Sequence, residues 1–423
     1  WGPQMTGQMV DHWTNDPNHQ YYGETYPLTA QPNNVDDFFQ VGHSLATNLS
    51  VGVNKEDFST YFGYTHTDAS GVVEGNDLTS HNLSIRTKAN LTDKLELDTR
   101  LSYINRDFSN VLASGENYRN PVRFAYMLPR NIRTEDIEQF KYIDGSGSLR
   151  QHFYAVNYNG AGNPYWTANH VLNPSTTERV TGLVSLKYNI TDHLSIMGRS
   201  ALDKTNNSQE QKLYNDTYTI AVNGLYSIRN SQAYDWNTDF LINYNQMITS
   251  DISFDLNVGG NLRVSKRESV FTEGENFSFP NLFSIPNTTN PIVANGYSEK
   301  EVQSLYAAGQ LSYLNAIFFD ATVRNDWSST LPKDNRSYLY PSVGLTMVLT
   351  DLINRIEMLE SKTQNSSTSK TKTVNSTQAC KVPGCDTPVR ASGFCNSCYG
   401  KCRRGTLRGY VSFAGVATTD SGK

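Results

Sequence analysis

His81-Asn82-Leu83-Ser84-Ile85-Arg86-Thr87-Lys88-Ala89-Asn90-Leu91-Thr92-Asp93-Lys94-Leu95-Glu96-Leu97-Asp98-Thr99-Arg100-Leu101-Ser102-Tyr103 is the stretch that decides the fold class. Leu83, Ile85, Thr87, Ala89 and Leu91 hold every second position, with Asn82, Ser84, Arg86, Lys88 and Asn90 between them. A period of two sends the two sets to opposite faces of an extended chain, so this is a strand with one wet face. After Thr92-Asp93 the alternation restarts as Leu95, Leu97, Thr99, Leu101 and Tyr103 against Glu96, Asp98, Arg100 and Ser102. Two such runs about a short turn predict a hairpin.

The turn recurs along the chain. Asn90-Leu91-Thr92-Asp93-Lys94-Leu95 is echoed by Asn189-Ile190-Thr191-Asp192-His193-Leu194, and more loosely by Ile248-Thr249-Ser250-Asp251-Ile252 and Leu349-Thr350-Asp351-Leu352. Further strands are expected at 44–54, 57–67, 179–190, 194–204, 234–248, 251–266, 303–314, 317–327 and 338–350, about eleven or twelve in all. The stretches 108–178 and 272–300 are polar, rich in Gly, Asn and Pro, and too long for ordinary connections in a compact domain. Short turns on one side and long loops on the other make the plan of an antiparallel transmembrane β-barrel, here a partial one. Strands such as Arg179-Val180-Thr181-Gly182-Leu183-Val184-Ser185-Leu186-Lys187-Tyr188 put charges between apolar residues. A dry core would tolerate these only if paired, whereas a water-filled lumen accepts them. Within the first long loop, 134–142 predicts one or two helical turns.

Composition agrees. Hydrophobic residues make up 37% of the 423 and mean hydropathy is −0.53, yet 11% are aromatic, including 25 Tyr. Outer-membrane barrels combine these features, because each strand shows lipid only one side and Tyr, Phe and Trp gather at the two interfaces. A soluble β-sandwich or propeller is the alternative on composition alone. No apolar run is long enough for a membrane-spanning helix, and no signal peptide opens the chain at Trp1. The net charge of −5 hides two parts: residues 362–423 carry ten Lys/Arg and two Asp/Glu, a net of +8, leaving −13 on the remainder. All five cysteines lie in that basic end.

Asn34-Val35-Asp36-Asp37-Phe38-Phe39-Gln40-Val41-Gly42, Tyr61-Phe62-Gly63-Tyr64, Gly71-Val72-Val73, Asn163-Pro164-Tyr165-Trp166, Arg324-Asn325-Asp326-Trp327-Ser328-Ser329-Thr330-Leu331-Pro332 and Tyr340-Pro341-Ser342-Val343-Gly344-Leu345 occur in this order. Together with Trp1-Gly2 they make residues 1–352 resemble the SusC/RagA-like TonB-dependent receptors. The resemblance implies a barrel of about 22 strands filled by a plug, in Bacteroidetes-like outer membranes. It also implies import of oligosaccharides or peptides, a SusD-like surface lipoprotein as lid, and TonB as the energy-coupling partner. The chain departs from that pattern in starting inside the barrel, without TonB box or plug, and in leaving it after about Leu352. So few strands cannot close such a barrel, and open sheet edges are not tolerated in lipid.

No catalytic constellation is found, so the chain is not read as an enzyme. His152 and His170 read as solvated residues of a polar loop. Asp36 and Asp37 adjoin in sequence and read as loop chemistry instead of a general acid and base. Tyr154, Tyr158, Tyr165 and Trp166 could stack on sugar rings or peptide side chains, or pack the loop against itself or the lid.

The end of the chain is a separate unit. Leu352, Ile353, Ile356 and Leu359 are spaced as one helix face, and the segment 353–378 reads as this helix and a flexible linker. In 379–412, Cys380, Cys385, Cys395 and Cys398 form two close pairs able to hold one Zn, with Cys402 beyond; 413–423 is a terminal tail. Disulfides are the alternative if the segment lies outside the cell, but five cysteines leave one unpaired. The series Cys380-Lys381-Val382-Pro383-Gly384-Cys385 to Cys395-Asn396-Ser397-Cys398-Tyr399 resembles small zinc modules of phage HNH-type endonucleases, with Cys398 where many carry His. That resemblance implies nucleic acid as a partner, with Lys401, Arg403, Arg404 and Arg408 on phosphates. A reduced zinc module and an outer-membrane barrel belong to different compartments. The abrupt change near residue 352 therefore suggests a composite sequence.

Overall fold

The computed structural model describes residues 3–154, 162–218, 220–350, 353 and 356–358. The chain divides into two compact units, Trp1–Val348 and Leu349–Lys423. In the second unit, residues 349, 350, 353 and 356–358 are helical, and the cysteine-rich segment lies outside the described residues. The turn expected at 349–352 is thus helical where it is described.

The first unit opens with a small hairpin, β1 (Met9–Asp11) and β2 (Thr25–Pro27). The long strands β3 (His43–Asn54), β4 (Phe58–Ser70), β5 (Asp77–Thr92) and β6 (Leu95–Phe108) follow. A long excursion carries α1 (Pro121–Met127), α2 (Thr134–Ile137), β7 (Lys141–Ile143), β8 (Leu149–Gln151), α3 (Pro164–His170) and β9 (Val171–Leu172). The wall resumes with β10 (Ser175–Asn189), β11 (Leu194–Thr217), β12 (Ala221–Met247), β13 (Ile252–Glu275), β14 (Thr289–Tyr313), β15 (Ile317–Ser328) and β16 (Ser337–Met347). Eleven strands pair antiparallel in the order β3-β4-β5-β6-β10-β11-β12-β13-β14-β15-β16, with β9 beside the far end of β11. Among the described residues β3 and β16 each have one neighbour.

The register aligns the apolar positions of neighbouring strands. One row runs Val51, Phe62, Ile85, Leu101, Gly182 and Leu202, and a second runs Ile242, Val258, Ala307, Val323 and Pro341. Apolar residues of this face stay open to the surroundings: Leu101 is 47% exposed, and on the same face Phe240 is 44%, Leu305 55% and Val343 76% exposed. A belt of this extent belongs against lipid, since soluble monomers leave only small apolar patches uncovered. Tyr188, Tyr244, Phe254, Tyr313 and Phe319 sit on this face near the short turns, while Tyr103, Trp236 and Trp327 sit on it towards the other end. Two aromatic girdles flanking an apolar band identify the outer face of a barrel wall.

The short connections at 55–57, 93–94, 190–193, 248–251 and 314–316 all lie on one side. The repeated threonine explains three of them. Thr92 Oγ1 accepts from the Leu95 N–H at 3.1 Å, Thr191 Oγ1 from that of Leu194 at 3.0 Å, and Thr249 Oγ1 from that of Ile252 at 3.1 Å. The side chain stands in for a backbone acceptor and fixes the turn.

The strands expected from alternation begin and end correctly at these turns but run much further at the other side. β11 continues to Thr217 and β12 starts at Ala221, and the loop expected over 272–300 shrinks to 276–288. Beyond the girdle both faces meet water, so stretches such as Asn206-Asn207-Ser208-Gln209-Glu210-Gln211 show no apolar alternation while the backbone ladder continues.

Segments 3–42 and 109–174 pack together at this long-loop end. Their core comprises Phe38, Ala125 and Ala168, joined by Val73 from the β4–β5 connection, in one cluster and Leu128, Ile132 and Ile137 in another. Buried asparagines hold the irregular backbone. Asn34 Nδ2 donates to the carbonyls of Pro129 and Ile132, both at 2.9 Å. Asn163 caps α3 by accepting from Tyr165 N–H at 2.9 Å, and donates to the Ile137 and His152 carbonyls at 2.8 and 2.7 Å. Pro164 in the first helical turn lacks only an N–H that no helix bond would use. Each asparagine satisfies backbone groups that would otherwise be buried without partners.

Candidate functional site

The face opposite the apolar belt is charged along its length. Asp98 draws three cations: Arg100 Nη2 at 3.3 Å, Arg86 Nη2 at 3.6 Å and Lys88 Nζ at 3.8 Å. Arg179 grips Asp203 through two nitrogens at 2.9 and 2.5 Å, and Arg199 pairs with Asp239 at 2.9 Å. Arg263 meets Asp235 at 3.1 Å, and Arg324 meets Asp326 at 2.7 Å. Strand pairing places Asp98, Ser185, Arg199, Asp239, Asn261, Ser304 and Asp326 in one row across seven strands. Apart from the buried Asp239, these are exposed pairs, which add at most about 1 kcal/mol each to stability, so the row is best understood as a wetted polar surface.

Two glycines thin the wall where aromatic side chains cross it. Tyr306 covers Gly259 on the charged face, and Phe240 covers Gly260 on the apolar face. The Arg324 guanidinium stands 5.8 Å from the centre of the Tyr306 ring and donates to Ser304 Oγ at 3.0 Å.

The long-loop unit holds the other concentration of titratable groups. Asp136, fully buried, accepts from Arg133 at 2.7 and 2.6 Å and from His12 Nε2 at 3.2 Å. Burial pushes the Asp136 carboxyl up, but the bonds from Arg133 and His12 outweigh it and hold the group below the usual carboxylate range. His12 Nδ1 accepts from the Thr14 N–H at 3.1 Å, which leaves Nε2–H to donate to Asp136. Burial, opposed by Asp136, pushes His12 below the ordinary imidazole value. His152 stands 2.7 Å from the Gln139 carbonyl through Nδ1 and 2.7 Å from Thr14 Oγ1 through Nε2, so Nδ1–H donates and Nε2 accepts. Burial lowers His152 to about 4. His170, packed on Trp166 and Tyr214 with ring centres 4.3 Å away in each case, is likewise lowered by burial to about 4.

These contacts correct the expectation that His152 and His170 are solvated surface residues: they are 0% and 6% exposed. A long loop that folds with its own core removes from water what a polar sequence leaves ambiguous. Asp37 accepts from Thr134 Oγ1 at 2.7 Å and ties the segment before β3 to α2, in keeping with loop chemistry. Among the described residues no group of three or more His, Cys, Asp and Glu is arranged to hold a metal.

The four aromatic candidates separate. Trp166 is completely buried and its Nε1–H donates to Thr217 Oγ1 at 3.1 Å, so it packs the loop and offers no free face for stacking. Tyr165 is half-buried against Phe38, and burial together with Glu138 raises its phenol above the usual value. Tyr154 is half-buried, with its hydroxyl 3.4 Å from the Met127 carbonyl. Tyr158, the four cysteines and Lys401, Arg403, Arg404 and Arg408 lie outside the described residues. The His12–Asp136–Arg133 cluster escaped sequence reasoning because His12 is 124 residues from Asp136 in the chain. The Asn-Pro dipeptides at 120–121 and 163–164 were the available signal for helix starts in this loop.

No family model and no curated protein sequence matches the chain. Among solved structures it is similar to the RagAB peptide transporter, with a TM-score of 0.59 and 15% identity over 71% of this chain and 34% of that one. It is also similar to the RagAB peptide importer in the open-open state, with a TM-score of 0.60 and 16% identity over 74% of this chain and 34% of that one. The chain thus spans about a third of the length of the structures it matches. With eleven consecutive antiparallel strands, an apolar belt between aromatic girdles and a charged opposite face, the described chain has the barrel-wall fold of the TonB-dependent receptors.

Proposed function

We propose that the chain is part of an outer-membrane importer of the SusC/RagA type, taking up peptides or oligosaccharides through a water-filled lumen. The observation that carries the reading is the sorting of the wall: apolar residues in register on one face, ion pairs in register on the other, and the short turns at 55–57, 93–94, 190–193, 248–251 and 314–316 at one end. Such a sheet needs lipid on one side and water on the other. The packed unit of residues 3–42 and 109–174 then lies at the outer mouth, where Tyr154 and Tyr165 can meet a solute or a SusD-like lid lipoprotein; Tyr158, outside the described residues, is proposed for the same role on its sequence alone. TonB is the partner for the complete receptor. Membrane fractionation of the native source, with mass spectrometry of peptides from both sides of residue 352, tests this reading. Barrel peptides in the outer membrane, within a band that migrates differently when heated, support it; recovery in the soluble fraction refutes it.

A second proposal covers residues 379–412: Cys380, Cys385, Cys395 and Cys398 bind one Zn and the basic residues after them contact nucleic acid. It rests on cysteine spacing and on the +8 charge of residues 362–423. The same mass spectrometry addresses the composite origin, since peptides spanning residues 345–370 in the native protein refute it. Zinc content before and after chelation tests the metal.

A further inference from the structure

On the charged face β13 and β14 bring three cations together at the outer mouth with little to neutralise them. Residues 263–268 and 298–302 carry Arg263, Lys266, Arg267 and Lys300 against Glu268, Glu299 and Glu301, a nearly balanced sum in sequence. The pleat unbalances it. Ser265 pairs with Lys300 and with Asp235, Arg263 with Val302, and Arg267 with Ser298, so Arg263, Arg267 and Lys300 share the lumen face. Lys266, Glu268, Glu299 and Glu301 all fall on the opposite face, where Lys266 is paired with Glu268 at 2.5 Å. Among the described residues the one carboxylate opposite the three cations is Asp235, which engages Arg263 at 3.1 Å and accepts from Ser265 Oγ. Among the described residues neither Arg267 nor Lys300 has a carboxylate within ion-pair distance, and both are exposed. Together with Ser265, Ser298 and Val302 they line a recess of about 270 Å³. Same-face neighbours along a strand are about 7 Å apart, so Lys300 stands opposite the midpoint between the two arginines. With Arg263 and Ser265 engaged by Asp235, the Arg267 fork, the Lys300 ammonium and the Ser298 hydroxyl match the acceptor oxygens of an oxyanion.

We propose that this recess binds an oxyanion group, a carboxylate, sulfate or phosphate, carried by the imported solute. The proposal rests on the reading of this face as the aqueous lumen, and that reading is checked first. In the full chain, Ser265→Cys is exposed to a charged thiol reagent and labelling at that peptide is read by mass spectrometry. No labelling of an intact outer-membrane protein means the face is not aqueous and overturns both readings. With labelling established, equilibrium binding of citrate and of pyrophosphate to the detergent-purified chain tests the site itself. At low salt the paired variant Arg267→Gln/Lys300→Gln is expected to weaken binding of at least one of the two about ten-fold or more, and added salt to weaken the wild type. The control Lys55→Gln/Lys94→Gln, the same charge change at the short turns, is expected to stay within about two-fold of wild type. Preference for citrate or pyrophosphate distinguishes a carboxylate from a phosphate ligand. Failure of the wild type to bind either anion, an unchanged R267Q/K300Q variant, or an equal loss in the control overturns the site and leaves the lumen reading standing.

Discussion

Acidification from pH 7 to 4.5 should open the long-loop unit while leaving the barrel wall intact. His152 and His170 each lie at about 4 against an ordinary value of 6.5, and His12 is shifted in the same direction. A group whose folded pKa is depressed below the unfolded one leaves the folded state short of a proton once the pH drops below 6.5. Stability is therefore complete above 6.5, falls as the pH drops towards 4, and stops falling below that. The gap corresponds to about 3 kcal/mol for each of the two histidines. The geometry supplies the reason: His12 Nδ1 and His152 Nε2 already accept hydrogen bonds, and His170 Nδ1 is buried without a partner among the described residues. Asp216, raised by burial, works the other way, because its folded form takes up a proton first as the pH falls towards 3.8. The depressed Asp136 and Asp144 lose their contribution only below 3.8, outside this window. Hydrogen exchange of peptides from 9–27 and 111–173, corrected for intrinsic rates, should show protection lost by several orders of magnitude between pH 6.5 and 4.5, with wall peptides unchanged. Loop protection equal at pH 7 and 4.5 would refute the burial argument.

Other outcomes follow from single side chains. Trp166→Ala removes a fully buried indole and its bond to Thr217, and should destabilise the loop unit by about 3–5 kcal/mol, read as a protease cut within 109–174 under conditions that spare the wild type. Gly259→Ala would put a Cβ 2.5 Å from Tyr306 Cζ and 2.7 Å from the Phe240 carbonyl, so it should lower the unfolding midpoint of the wall in urea by more than Gly182→Ala, where nothing stands within 4 Å. Leu314 holds φ +57 in the turn before β15, a conformation costing about 1–2 kcal/mol in an L-residue, so Leu314→Gly should raise that midpoint despite the lost side chain. Thr191→Ala removes the side-chain acceptor of the β10–β11 turn and should cost about 1 kcal/mol, whereas Thr191→Ser should cost less.

The wall was readable because its information is local. Alternation in Leu83 to Leu91 and Leu95 to Tyr103 assigns each residue to a face, and Thr92, Thr191 and Thr249 end the strands through bonds spanning only three residues. Short-turn ends of strands were accordingly placed to within about two residues except at β16, which ends at Met347 instead of 350, while the far ends of β11 to β14 were missed once lipid no longer imposed a pattern. In the loop unit the local signal was misleading: polar residues at 108–178 suggested solvation, yet Asn163 and His152 are buried because backbone groups and Thr14 supply their partners.

By itself the sequence determined the strand class, the facing of each side chain and the turns at one end, all set by the two-residue period of extended chain and by threonine caps. Tertiary structure alone decided that β6 lies beside β10 across the long excursion, that His12, Asp136 and His152 share one core, and that Arg263, Arg267 and Lys300 stand apart from their neighbouring glutamates. Those outcomes depend on contacts between residues distant in the chain and on pairing register. A shift of one residue in that register would exchange the two faces.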